Sequence, residues 1–345
     1  MKFFKKFVLV ALIFVLALSS VALSSVTNVK AADDNADQKT TQTGPKVFVT
    51  PKWTNKVINN NTKIKNYKVF EASYGNDSTF KKGHIPGALH INTNSVESEK
   101  NQWNILSAKK IKKLLLKNGV TSKTTLIVYS TDVNAASRVA FAALWAGVDN
   151  IKVVDGGYDA WKKADYKIQK GSQKSVKAAK KFGVKAPANA SYLIKTPADF
   201  KKQQKADPNV ILASTRSWKE FTGKTSGYSY IKAKGEPKGA VYAKTSKTSA
   251  DSAYLLHKDG TVKTADEIAP TWKEWGITPD SNIDFYCGTG WRAATAFLIT
   301  YQAGWKNIHV FDGGWYAWDK AHKKNPSKYQ VQVGDPRSDN VKILK

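Results

Sequence analysis

The chain has 345 residues, a formal net charge of +28 and a single cysteine. One cysteine excludes an internal disulfide, and five scattered histidines offer no ligand cluster, so neither metal nor organic cofactor is expected. The charge is almost all lysine and is spread along the chain. With only four arginines and no recognised nucleic-acid motif, it points to a solvated basic surface that associates with an anionic cell envelope, and away from nucleic-acid binding.

Residues 1–31 open with lysines and an apolar run from Phe7 to about Leu18, too short to span a bilayer and followed by small residues. This predicts a signal peptide cut after Ala31, and hence a secreted or cell-envelope protein. Loss of Lys2, Lys5, Lys6 and Lys30 with it leaves +24. Residues 32–45 read as a flexible N-terminal tail. A first domain is expected over 46–170, with strands "KVFEA", "TTLIVY" and "IKVVD" and helices "SAKKIKKLLLKNG" and "ASRVAFAALWAG". Residues 171–190, lysine-rich and without apolar period, read as a linker. A second domain over 191–325 has strands "NVILAS", "NIDFY" and "IHVFD" and helices "TADEIAPTWKEWG" and "AATAFLITYQAG", with 326–345 as a C-terminal tail.

The two domains repeat one another. Residues 129–161 match 286–318 without a gap, pairing Tyr129 with Tyr286, Gly147 with Gly304, Asp155-Gly156-Gly157 with Asp312-Gly313-Gly314, and Trp161 with Trp318. A period this long means domain duplication rather than a solenoid. Strand, helix and strand at this spacing form a βαβ unit, so each copy is expected to be an α/β domain, a parallel sheet with helices on both faces.

The lone cysteine lies in "YCGTGWRAA". Cys287 ends a buried strand and faces the start of a helix, where open parallel sheets bind ligands. The glycine-rich loop can turn several N–H groups toward one point; together with the helix dipole and Arg292 they would stabilise a thiolate. The alternative is an inert buried thiol. Gly288 and Gly290 supply the turn, and Thr289 either donates its hydroxyl to the sulfur or caps the helix. Trp291 is expected as an apolar wall. Arg292 is a cation that opposes the dipole, so it needs another reason to be there, unless it is merely a solvated helix-start residue. Arg216 follows the strand "NVILAS" and should lie at the same sheet edge; a salt bridge to Glu220 is its plainer role. The first copy has Ser130, Thr131, Val133 and Ala135 where the second has Cys287, Gly288, Gly290 and Arg292, and Ser73 where it has Arg216. The first domain is therefore expected to be a scaffold forming one wall of the crevice, with His84 and Arg138 structural.

"GHIPGA" at 83–88, "GEPKGA" at 235–240, "STRSWKEF" at 214–221, the cysteine loop and the two "DGG-x-x-x-W" segments together resemble the tandem rhodaneses over roughly residues 46–325. The resemblance implies two rhodanese-like domains, of which only the second is catalytic. It implies a sulfurtransferase in which Cys287 takes sulfur from an anionic donor, most readily thiosulfate, as a persulfide, and passes it to cyanide or a thiol. It also implies that Arg216 and Arg292 bind the donor, although Ser214 replaces the aspartate of the family's Asp-x-Arg pattern and leaves Arg216 without its usual partner. "CGTGWR" matches neither the thiosulfate nor the mercaptopyruvate type of loop cleanly. Two other functions compete: a non-catalytic envelope module that binds anionic polymer or carries persulfide, and a cysteine phosphatase. The spacing from Cys287 to Arg292, one residue short of Cys-x5-Arg, disfavours the phosphatase.

Overall fold

A computed structural model describes residues 43–345; the expected signal peptide and most of the expected N-terminal tail lie outside them. The first sheet holds β1 (Phe48–Val49), β2 (Tyr67–Ser73), β3 (Leu89–Asn92), β4 (Thr125–Tyr129) and β5 (Asn150–Val154), all parallel, in the order β1-β5-β4-β2-β3. The second holds β6 (Leu193–Ile194), β7 (Ile211–Ser214), β9 (Val241–Tyr242), β10 (Ile283–Tyr286) and β11 (Ile308–Phe311) in the matching order β6-β11-β10-β7-β9. β8 (Glu236–Pro237), between β7 and β9 in sequence, joins neither sheet.

Both faces of each sheet are covered, so its strands are largely apolar, with charged residues such as Glu71 and Asp284 as exceptions. In the first domain Val69, Ile127, Tyr129 and Val154 pack with Val57 of α1 (Pro51–Ile58), Phe80 of α2 (Ser78–Lys82) and Trp161 of α5 (Gly157–Lys163). Their neighbours Phe70, Leu126 and Val128 point the other way, onto α3 (Ala108–Lys117) and α4 (Val133–Ala146). That inner core runs on into the second domain, through α8 (Ala265–Lys273) and α9 (Trp291–Ala303). The outer face of the second sheet meets Phe200 of α6 (Pro197–Ala206), Phe221 of α7 (Trp218–Phe221), and Trp315 and Trp318 of α10 (Gly314–Lys324). The α4 and α9 helices carry apolar or small residues all round because they pack on each other, with Phe141 edge-on to Phe297 at 4.9 Å.

The duplication extends to the contacts between the domains. The Asp155 carboxylate accepts the Val262 amide at 2.7 Å, and Asp312 accepts the Ile105 amide at 2.8 Å. Each aspartate before a Gly-Gly pair thus holds a loop of the opposite domain. Register confirms the pairing of Ser73 with Arg216: Glu71 lies beside Tyr129 as Ser214 lies beside Tyr286, two residues before each.

Two segments differ from expectation. Residues 171–190 are laid along the first domain, with Phe182 buried in its core and its carbonyl accepting the Ser122 amide at 2.8 Å. Residues 326–345 are no free tail. Here β12 (Val331–Val333) pairs antiparallel with both β8 and β13 (Lys342–Leu344), and buries Val331. Strands this short give little sequence signal, and these are set by their partners.

Candidate active site

The end of β10 delivers Cys287 to the N-terminus of α9, where it is 2% exposed. The two copies differ in how this helix begins. At α4 the Asp132 carboxylate caps the helix, accepting the Asn134 amide at 2.8 Å. The matching residue at α9 is Thr289, and no side chain caps that helix. The free amides serve the sulfur instead: the Gly290 N–H donates to Sγ at 3.2 Å. Burial alone would push the Cys287 thiol up. The Arg292 guanidinium and the amides of Thr289, Ala293 and Arg292 outweigh it and hold the thiol below its ordinary value.

Two glycines make the loop possible. Gly290 has φ +93, and a Cβ there would lie 2.4 Å from the Arg138 guanidinium. Gly314 has φ +51, and a Cβ there would lie 2.4 Å from the Cys287 carbonyl oxygen, which accepts the Trp315 amide at 2.9 Å. The Asp-Gly-Gly segment therefore supports the cysteine loop from beneath.

Arg292 is 2% exposed, so it is no solvated helix-start residue. Its terminal nitrogens donate to both Glu220 oxygens, at 2.9 and 3.0 Å, and to the Tyr228 hydroxyl. Burial pushes the Glu220 carboxyl up, but Arg292, Arg216 and the Ser217 hydroxyl together bring it down to about 2. Arg216 does form the anticipated pair with Glu220, at 3.4 Å, but in the interior. Its other donors go to Glu236 at 2.8 Å and to the carbonyls of Gly235 and Ser226. Arg216 is fully buried and is not among the residues lining the cavity. Glu236, from "GEPKGA", takes the place of the missing aspartate partner; Ser214 donates to it, as does the Tyr286 hydroxyl.

Cys287 opens into a cavity of about 440 Å³. The second domain lines it with Tyr228, Tyr230, Thr289, Trp291 and Arg292, and the first with Tyr74, Glu97, Trp103, Asp132 and Asn134. The first domain is thus one wall of the crevice. Trp291 is more than an apolar wall, since its indole N–H donates to Glu97. Burial pushes the Glu97 carboxyl up to about 7, against the pull of Arg138 and of the Trp291 indole. Arg138 ties the walls together, at 2.7 Å from both Glu97 and Asp312. The Thr289 hydroxyl neither caps α9 nor donates to the sulfur among its hydrogen bonds; it lies 3.5 Å from the Tyr230 hydroxyl. The Gly288 amide donates to Tyr228 rather than to the sulfur, at 2.8 Å. His84 stacks on Phe80 at 3.8 Å and bonds the Phe80 carbonyl, away from the cavity.

Sequence reading missed Tyr228, Tyr230 and Glu97. "YSY" at 228–230 sits in a long irregular loop with no motif around it. The Tyr228 oxygen accepts from the Gly288 amide and from Arg292, which uses both lone pairs, and the residue lines the cavity. Burial holds this phenol well above its ordinary value, so it stays protonated. Among the described residues no group of His, Cys, Asp and Glu could hold a metal ion.

Alkylation of Cys287 by iodoacetamide should titrate below the ~8.5 of a free cysteine. Arg292→Gln should move that titration upward; rate against pH reads both. A wild-type inflection at or above the free value would contradict the electrostatics described.

The rhodanese-like domain family matches residues 51–164 and 196–321, and the chain belongs to that family, with two copies of its domain. It is 42% identical over 276 residues to the thiosulfate sulfurtransferase YnjE of Escherichia coli K12, covering 80% of this chain and 62% of YnjE. The chain therefore spans under two thirds of that relative's length. The crystal structure of YnjE superposes with a TM-score of 0.77 at 39% identity, covering 84% of this chain and 68% of that one. EanB, in a persulfide form in a tetrahedral intermediate state with ergothioneine, superposes with a TM-score of 0.77 at 29% identity, covering 84% and 71%.

Proposed function

We propose that the protein is a sulfurtransferase that carries sulfane sulfur on Cys287. The observation that carries this reading is the sulfur itself, set beneath the uncapped amides of α9 and beside Arg292. In the first step the Cys287 thiolate attacks the outer sulfur of thiosulfate. A Cys287–sulfur bond forms, the donor's S–S bond breaks, and sulfite leaves with the electron pair. In the second step cyanide or a thiolate takes the outer sulfur, and the pair returns to Cys287, a two-step covalent exchange. The loop amides and the Tyr228 hydroxyl stabilise the anionic persulfide, with Arg292 as the cation nearest the donor. Arg216 acts as a positioning residue through Glu220. The thiosulfate sulfurtransferase name of YnjE supports thiosulfate as donor. Mass spectrometry of the intact protein after thiosulfate or mercaptopyruvate treatment tests the reading. One added sulfur, removable by cyanide, is expected, and no added sulfur with any donor would overturn it.

The lysine-rich surface supports a second reading. In it the protein is exported by its N-terminal segment, works at the envelope, and binds anionic polymer through scattered lysines, with the thiol as a persulfide carrier or a relic.

A further inference from the structure

The cavity has a charge pattern unlike that of the surface. The chain carries a formal +28, yet Arg292 is the one cation among the described residues lining the cavity, and its charge is matched by Glu220. The cavity is also lined by the carboxyl groups of Glu97, which is paired with Arg138, and of Asp132, which caps α4, and by the rings of Trp103, Tyr228, Tyr230 and Trp291. Tyr230 lies 5.5 Å from Tyr228 and 6.1 Å from Trp103 between ring centroids, so the three rings form a continuous wall. Trp103 is held there at a cost. Its φ is +60 and that of Gln102 is +55, a left-handed pair without glycine. Such residues are strained and persist where the surroundings hold them. Here the Arg138 guanidinium donates to the Trp103 carbonyl at 3.1 Å. A volume of about 440 Å³ also far exceeds what a small inorganic anion fills.

Resting on the sulfur-transfer reading, we propose that this chamber receives the sulfur acceptor, and that the acceptor is a thiol carrying an organic ammonium group. Aromatic faces attract such cations through their quadrupoles, most strongly when the cation is desolvated and its charge is diffuse. The acceptor enters as its thiolate, its proton lost to water. It attacks the outer sulfur of the Cys287 persulfide, a new S–S bond forms, and the Cys287–sulfur bond breaks with its electron pair returning to Cys287. The acceptor leaves as a persulfide, with no net oxidation or reduction.

The test uses single-turnover discharge of persulfide-loaded protein to three thiols at equal thiolate concentration. These are thiocholine, its neutral isostere 3,3-dimethylbutane-1-thiol, and 2-mercaptoethanesulfonate. Thiocholine should discharge about tenfold faster than the isostere, and the sulfonate slowest. In Trp103→Leu and Tyr230→Leu the ratio of thiocholine to isostere, taken within each protein, should fall below threefold. Without any sulfur loading, choline should slow iodoacetamide alkylation of Cys287 more than 3,3-dimethylbutan-1-ol does. A protein that discharges to cyanide but treats the thiols alike, or prefers the sulfonate, overturns the chamber assignment. Equal protection by choline and its isostere overturns it even if no persulfide ever forms, whereas absent persulfide alone strikes only the sulfur-transfer reading.

Discussion

Cys287→Ser is expected to abolish sulfur transfer while leaving the protein folded. A serine fits, because Ser130 already occupies the matching place at the end of β4, where its carbonyl accepts the Tyr158 amide at 2.9 Å as the Cys287 carbonyl accepts that of Trp315. A hydroxyl at this site remains protonated and forms no persulfide, so turnover should fall to background while the thermal midpoint stays close to wild type. Turnover comparable to wild type would end the mechanism. The same variant separates the two readings of the protein. Binding of anionic polymer by scattered lysines should survive the substitution and weaken steeply with salt, since the Debye length shortens to about 8 Å at physiological ionic strength. Polymer binding by wild type without persulfide from any donor would favour the envelope module.

Glu220→Gln should be the most destabilising single change at the site. Glu220 is fully buried and meets Arg216, Arg292 and the amide and hydroxyl of Ser217. A neutral amide in its place leaves two buried guanidinium groups short of a counter-charge. Removing one partner of a buried pair costs about 3–5 kcal/mol. For a domain of this size class that corresponds to a midpoint roughly 10 °C lower. The effect has a defined pH window. The Glu220 carboxyl is lowered to about 2 in the folded protein, below its value in the unfolded chain. Its contribution is therefore full above the unfolded value of about 4.3, and is lost as pH falls through the folded one. The gap between wild type and variant should be constant near neutrality and narrow below about pH 4. Denaturant unfolding of both proteins across pH measures it, and a gap under about 1 kcal/mol at pH 7 would show that the arginines are satisfied without Glu220.

Much of this protein is legible in its sequence because the signals are local or repeated. Apolar runs such as "TLIVY" and "IDFY" determine buried parallel strands, Gly147 and Gly304 end helices in the left-handed conformation, and the gapless match of 129–161 to 286–318 determines the duplication. A single cysteine between a strand and glycines identified the sulfur that stands under the α9 amides. Even the uncapped helix was open to reading, as the exchange of Asp132 for Thr289 between the copies. What lay beyond the sequence depends on residues far apart in the chain. Glu97 meets Trp291, and Arg138 and Ile105 meet Asp312, across the domain interface. Arg216 is expected at this sheet edge because it follows a strand, and its donor contact comes from the family resemblance alone. Tertiary structure turned it inward, since Glu220, Glu236 and two carbonyls satisfy its guanidinium more fully than an open cavity would. Tyr228 and Tyr230 had no periodic or motif context, and only packing against the cysteine loop gave them a place. The buried strands, the cysteine loop between strand and helix, and the duplication follow from local or repeated pattern. The polar partners of a buried site do not, because a charge in the interior takes whichever neighbours can compensate it, and the folded chain decides which those are.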